Sequence, residues 1–264
     1  MSIYSIEHLE YLKKEKKEKA IVHIFQSLII FFFLFIWQIL ACKSIINTFL
    51  YSSPELIIKT IFDLFKQNIL FSNILISLYE VIISFFISSI ISFIIATILW
   101  WNNMTAKIIS PFLTIINSLP KVALGPLIII WAGANIKSII IMSLLISVFI
   151  TIINFYESFN STNKNYLLLM KSFKASKKDI FCKVVIKSNI INIINSLKIN
   201  LSMNFIGVIM GELLVSKKGL GYLIMYASSI FNINLIITSI IIIGLLSFLL
   251  YLIISYLEKS INYY

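Results

Sequence analysis

Runs of about twenty residues without a charged side chain, dense in Ile, Leu and Phe, recur along this 264-residue chain. A helix needs about 20 apolar residues to cross a bilayer core of roughly 30 Å, so each run is long enough to span. The other spanning solution, a closed β-barrel, is built from short segments that alternate in polarity. These runs are solid rather than alternating, so helices are expected. With 59% hydrophobic and 12% charged residues and a mean hydropathy of +0.98, the chain has too little polar surface to coat a water-facing globule, where about 25% charge is usual. The expected fold class is an all-α integral membrane protein.

The formal charge of +11 raises nucleic acid as a partner, but all 22 basic residues are Lys. Recognition of phosphates and base edges leans on the Arg fork, so no nucleic-acid partner is expected and the charge points to membrane lipid and to topology. Cys42 and Cys182 are expected on opposite sides of the membrane, unable to pair, and neither has metal-ligand neighbours at useful spacing. No metal and no cofactor bound by this chain are expected.

Residues 1–19 read as a polar tail, with Lys13, Lys14, Lys16, Lys17 and Lys19 ahead of a first span at 20–42. That run is too long for a secretory signal peptide and lacks a small-residue cleavage site, so it should stay attached. Residues 43–73 read as an external segment. Its Leu56, Ile57, Ile61, Leu64 and Phe65 suit an amphipathic helix on the membrane surface. Further spans are expected at 74–101, 109–132, 138–157, 190–214 and 233–257, with 158–187 as the long polar interior loop. Span 109–132 holds Pro111, Pro120, Gly125 and Pro126, and reads as one helix with a broken middle.

Counting charges orients the chain. With six spans and both termini cytoplasmic, 14 lysines lie inside, 6 outside and 2 within the membrane. Treating 109–157 as one span would move the seven lysines of 164–187 outside, against the positive-inside tendency.

The 158–187 loop has seven lysines against one acid, Asp179. Within it, Tyr166, Met170, Phe173, Ile180 and Val184 fall on one helical face, with lysines largely on the other. Such a segment can lie on anionic lipid or dock a cytoplasmic partner. Broken backbone at membrane depth is tolerated where protein or a water-filled cavity receives it, so Pro120, Lys121, Gly125 and Pro126 are candidates for lining a pathway, a packing kink being the alternative. Lys198 and Glu212 are 14 residues apart, roughly 21 Å along one helix. They cannot pair with each other; Lys198 reads as snorkelling to the cytoplasmic edge and Glu212 as lying near the outer one. The Gly219–Gly221 pair follows no strand and opens no βαβ unit, so it is not a phosphate loop.

Several of these segments together resemble a family. Leu169-Met170-Lys171-Ser172-Phe173-Lys174-Ala175-Ser176, followed by Asp179-Ile180-Phe181 and Val184-Val185-Ile186, is similar to the cytoplasmic "EAA" loop of type I ABC importer permeases. Leu119-Pro120-Lys121-Val122-Ala123-Leu124-Gly125-Pro126-Leu127, with Trp131 and Gly133, resembles the segment before the fourth span of nitrate/sulfonate/taurine-type members. Ser196-Leu197-Lys198-Ile199, Gly211-Glu212-Leu213-Leu214 and Gly219-Leu220-Gly221-Tyr222-Leu223-Ile224 resemble their fifth span and outer loop. The likeness covers about 74–257 in order and spacing.

The resemblance implies a MetI-like fold of six transmembrane helices in a bacterial cell membrane, carrying the translocation pathway for a small solute such as nitrate, a sulfonate, taurine or a vitamin precursor. It implies as partners cytoplasmic ABC ATPase subunits that hold the ATP and Mg, a second permease copy in a homodimer, and an extracytoplasmic solute-binding protein. Met170, Lys171, Ser172, Phe173, Lys174, Ala175 and Ser176 are then the ATPase-coupling residues, on a short helix pair seated in a groove of the ATPase, and this chain is not an enzyme. It departs from the family at Lys174, where a Gly stands, at Lys187, usually Pro, at Glu80, commonly Arg, and at Ser84, often Gly; positions 80 and 84 are assigned no role. A degenerate permease with altered coupling is one alternative. An ion-gradient-driven transporter is another, but only Glu80 and Glu212 are intramembrane acids and no repeat is visible. A membrane enzyme would need clustered nucleophile and base groups; His8 in the tail and His23 at the mouth of the first span supply none.

Overall fold

The computed structural model of the chain describes residues 6–261; the side chains of His8 and His23 lie outside the described residues. Among the described residues, all regular structure is helical. The polar tail and first span form one helix, α1 (Ile6–Cys42), whose apolar stretch stands clear of the other helices. It meets them through Gln38, which hydrogen-bonds Glu55 by side chain and backbone. After the short α2 (Thr48–Tyr51), α3 (Pro54–Lys66) starts where Ser53 accepts from the Leu56 amide and Pro54 fills the first turn, as at a capped N-terminus. The apolar face expected on lipid is largely turned to protein: Leu64 packs with Leu70 and with Leu235 and Ile242 of α13 (Ile233–Ile261), leaving Phe65 exposed.

The bundle is α4 (Ile69–Trp101), α7 (Ile136–Asn160) and α11 (Ile190–Val215), with α13 against α11. Helix α4 starts at Ile69, five residues before the expected 74. Its buried face is Asn73, Ser77, Val81, Ser84, Ser88, Ser92 and Ala96, while Phe71, Phe86, Ile90 and Ile94 point outward. In lipid, apolar tails offer no hydrophobic drive for helices to associate, so close backbone packing and interhelical hydrogen bonds do it.

Both are present. Asn200 accepts from Ser88 (3.0 Å) and Thr151 (2.9 Å) and donates to Ser89 (2.8 Å). Asn204 accepts from Ser143 (2.9 Å) and Ser147 (3.1 Å) and donates to Ser88 (2.9 Å). One turn further along α11, Gly207 lies against the Ser143 backbone and Gly211 against Ile139, leaving no room for a Cβ.

Among the described residues, five stretches are long and apolar enough to span: Ala20–Cys42, α4, α7, α11 and Ile233–Tyr256. The segment expected at 109–132 as one helix with a broken middle is a pair of helices bent at the break. Helix α5 (Asn103–Ser118) and the Lys121–Ala132 segment, which contains α6 (Gly125–Ala132), meet at 80°. The residue before a proline is pushed to extended backbone, and Leu119 is extended at ψ 143° before Pro120. A 3-10 turn, Lys121–Leu124, completes the corner. Pro111, inside α5, leaves that helix continuous.

One expectation for a charged residue on α11 is corrected. Lys198 does not snorkel: it is 9% exposed, pairs with Glu258 of α13 at 2.5 Å and lies over the Tyr251 ring. Pairing satisfies the charge where solvent cannot reach it. Glu212 lies near the end of α11, where it is fully buried.

Leucine at position 207 would drive α11 away from α7. We expect Gly207→Leu to destabilise the detergent-purified protein by about 1–3 kcal/mol, read as a lower thermal midpoint. Gly244→Leu, with nothing within 4 Å of the added Cβ, should leave the midpoint in place.

Candidate coupling segment and translocation break

The lysine-rich loop folds as a helix pair. Asn163 caps α8 (Lys164–Ser172) by accepting from the Asn165 amide. The helix ends with the Ala175 amide donating to the Met170 carbonyl (3.0 Å) and the Lys174 amide to the Lys171 carbonyl (2.9 Å). This is the Schellman ending, whose outer residue is left-handed, and that residue is Lys174, at φ +54°. The position where the resembled family carries Gly thus has the conformation Gly favours. Ser176 then opens α9 (Lys177–Ile180), accepting from the Asp179 amide while its hydroxyl donates to the Asp179 carboxylate. A π turn, Phe181–Val185, and α10 (Ile186–Ser188) lead into α11. Lys187 stands inside that helical run.

The turn divides the face expected to be shared. Ile180, Phe181 and Val185 are buried with Ala96, Phe155, Phe159 and Ile193, and Leu167, Met170 and Ala175 pack against them. Tyr166, Leu168, Leu169 and Phe173 face outward, Phe173 at 75% exposure. Reversing the chain at 173–175 carries Phe173 away from Met170 and Ile180, so the five residues do not form one face. Lys177 ties the pair to α4, donating to the Trp101 carbonyl and lying over the Trp100 and Trp101 rings. Asp179 pairs with Lys183 at 2.6 Å. Hydrogen bonds from Lys183 and Ser176 hold its carboxyl below the usual range and, in turn, raise Lys183. Lys171, Ser172, Lys174 and Ser176 are exposed, while Met170 and Ala175 are half-buried.

At the break, Pro120 and Pro126 are exposed and Gly125 is buried against Leu214 and Met142. Lys121 donates to Asn117 Oδ1 at 2.8 Å and to the Ile146 carbonyl at 3.5 Å, with Phe149 below it. Its ammonium is therefore held by protein groups on α5 and α7. Leu127, Ile130 and Trp131 of α6 are exposed. A polar groove of about 280 Å³ lies between α7 and α11, lined by Asn154, Glu157, Ser158, Asn192, Asn195 and Ser196.

The outer loop at the opposite end of the bundle is tightly held. The Gly219 amide donates to Asn73 (2.6 Å), the Leu220 amide to Ser77 (2.9 Å) and the Gly221 amide to Glu212 (2.6 Å). The loop's partners on α4 are more than 140 residues distant in sequence, so nothing local in the sequence marks them. Cys42 and Cys182 are free and exposed.

Residues 88–263 match the family model described as binding-protein-dependent transport system inner membrane component. Among curated proteins, the chain is 27% identical over 187 residues to the formylaminopyrimidine transport permease protein of Halalkalibacterium halodurans, covering 71% of this chain and 74% of that one. It is 24% identical over 207 residues to a putative aliphatic sulfonates transport permease protein of Bacillus subtilis, covering 78% and 75%. Among solved structures, an inward-facing conformation of the MetNI methionine ABC transporter shares the fold at TM-score 0.62 and 14% identity, covering 72% of this chain and 96% of that chain. The match spans α7, the helix pair, α11 and α13, so the chain belongs to the family of binding-protein-dependent transport system inner membrane components, the multi-pass permeases of ABC importers.

Proposed function

We propose that the 164–188 helix pair is the seat of a cytoplasmic ABC ATPase, and that two copies of this chain form a pathway between them for a small solute handed over by an extracytoplasmic binding protein. The observation that carries this reading is the division of the pair into two sides. Ile180, Phe181 and Val185 anchor it in the bundle, while Leu168, Leu169 and Phe173 present apolar surface amid exposed lysines. Lipid contact alone does not need the inner side locked to α4 by Lys177. In this arrangement both termini are cytoplasmic, and ATP and Mg belong to the partner, so this chain transmits motion and performs no chemistry.

A push on Phe173 reaches α4, α7 and α11 through the aromatic cluster of Trp100, Phe155, Phe159 and Phe181. Alternating access is a shift of population between inward and outward states. The Leu119–Pro126 corner borders the pathway in this reading. Lys121, bound to Asn117, positions the corner. The solute class follows the sulfonate and pyrimidine-precursor permeases among the relatives.

Replacing Phe173 with Asp should abolish solute-stimulated ATP hydrolysis by the reconstituted importer while leaving the thermal midpoint of the permease intact. Unchanged hydrolysis would remove the docking role. Lys174→Gly should relieve the left-handed strain, worth about 1 kcal/mol, and slow amide hydrogen exchange across 170–176. Lys174→Ala should bring no such gain.

A further inference from the structure

Glu80 is 1% exposed on α4, eleven residues after Ile69, so it lies roughly 16 Å along that helix. Neither of its carboxyl oxygens has a hydrogen-bond partner. The neighbouring charged group is Glu212, fully buried on α11. One turn beyond Glu80, the Ser84 hydroxyl is also fully buried and unpartnered. Glu212 is engaged on both oxygens: the Ser77 hydroxyl donates to Oε1 at 2.5 Å and the Gly221 amide to Oε2 at 2.6 Å. The buried interior between α4 and α11 thus holds two neighbouring carboxyls, one anchoring the Gly219–Gly221 loop and the other without a hydrogen-bond partner.

No positive charge offsets them. Among the described residues, neither acid has an ion-pair partner. The charged groups of the surrounding elements point elsewhere: Lys59, Asp63 and Lys66 of α3, Lys137 of α7, and Lys217 and Lys218 of the loop are exposed. Tyr79 of α4 is exposed; Tyr222 and Tyr226 belong to α12 (Leu220–Ser229), half-buried and exposed, and stack on each other. On α13 the acidic and basic groups, Glu258 and Lys259, lie at its far end, where Glu258 is paired with Lys198.

Two bare carboxylates facing one another out of water are opposed by mutual repulsion and by the loss of hydration of each. One positive charge shared between them removes the repulsion and supplies what the Glu80 oxygens lack. We propose that the Glu80–Glu212 pair, with Ser77 and Ser84 beside it, binds a single monovalent cation, a proton or a dehydrated sodium ion, and that this cation latches the Gly219–Gly221 loop to α4. A positive charge bound reversibly between two carboxylates makes the latch responsive to the medium.

The sign of the response follows from linkage. A cation held by the folded chain and not by the unfolded one stabilises in proportion to its availability. The test is the thermal midpoint of the full-length importer complex in nanodiscs, first in N-methylglucamine buffer from mildly acidic to mildly alkaline pH, then at alkaline pH with sodium or choline added. If the cation is a proton, the midpoint falls by several degrees as pH rises and sodium does not restore it. If it is sodium, sodium restores the midpoint at alkaline pH and choline does not. Glu80→Gln, whose amide can donate to Glu212, should abolish either response. Glu80→Arg, with a permanent charge in place, should do the same should the Gln variant fold poorly. A wild-type midpoint indifferent to both pH and sodium, or a response in the variants equal to that of the wild type, overturns the proposal.

Discussion

The hydrogen-bonded ladder of Asn200 and Asn204 with the serines and threonine of α4 and α7 is what the remaining structure depends on. A membrane bundle cannot be held by burying Leu and Ile, because lipid solvates them as well as a neighbouring helix does. Along the middle of α4 small and polar residues such as Ser84, Ser88 and Ser92 therefore face inward, while Phe86, Ile90 and Ile94 face outward. Gly207 and Gly211 bring the α11 and α7 backbones close enough for short side chains such as Ser143 and Ser147 to reach Asn204.

With that core in place, each end of the bundle can be specialised. At one end an aromatic cluster grips the lysine-rich helix pair, so surface charge and buried packing coexist within a few residues: Lys177 lies over Trp100 and Trp101 while Phe181 packs against the same rings. At the other end Glu212 accepts from the Gly221 amide and the Ser77 hydroxyl, while Asn73 and Ser77 take the amides of Gly219 and Leu220. Hydrogen bonds to a carboxylate are about twice as strong as neutral ones, and here they fix the loop beside the apolar cluster that buries Leu220.

Much of this was legible in the residues. Helical spans follow from run length, and the corner in the third follows from Pro120. The left-handed conformation of Lys174 follows from its occupying a glycine position in a familiar loop. The 80° angle was not legible, because a proline marks where a helix stops and not how its continuation is aimed. Nor was the Lys198–Glu258 pair, which joins residues 60 apart on helices whose proximity only the fold establishes. The ladder had left a trace: Ser88 and Ser92, Ser143, Ser147 and Thr151, and Asn200 and Asn204 each recur every fourth residue, and Gly207 and Gly211 share that spacing. Among so many Ile and Asn residues the pattern was masked, since the same composition scatters Ser and Asn over lipid-facing positions too.

Helix α6 is flanked by two swivels, the Leu119–Pro120 corner and Gly133, whose φ of +80° few other residues adopt. Eight residues long, it measures about 12 Å and cannot itself reach across the bilayer. Helix α11, by contrast, is clamped near one end by the Lys198–Glu258 ion pair and near the other by Glu212. Helix α6 is thus a separate short strut, joined to the frame at two sharp bends and seated on it through Gly125 against Leu214 and Met142, so its bearing is set by that contact and not by helical continuity with α5 or α7.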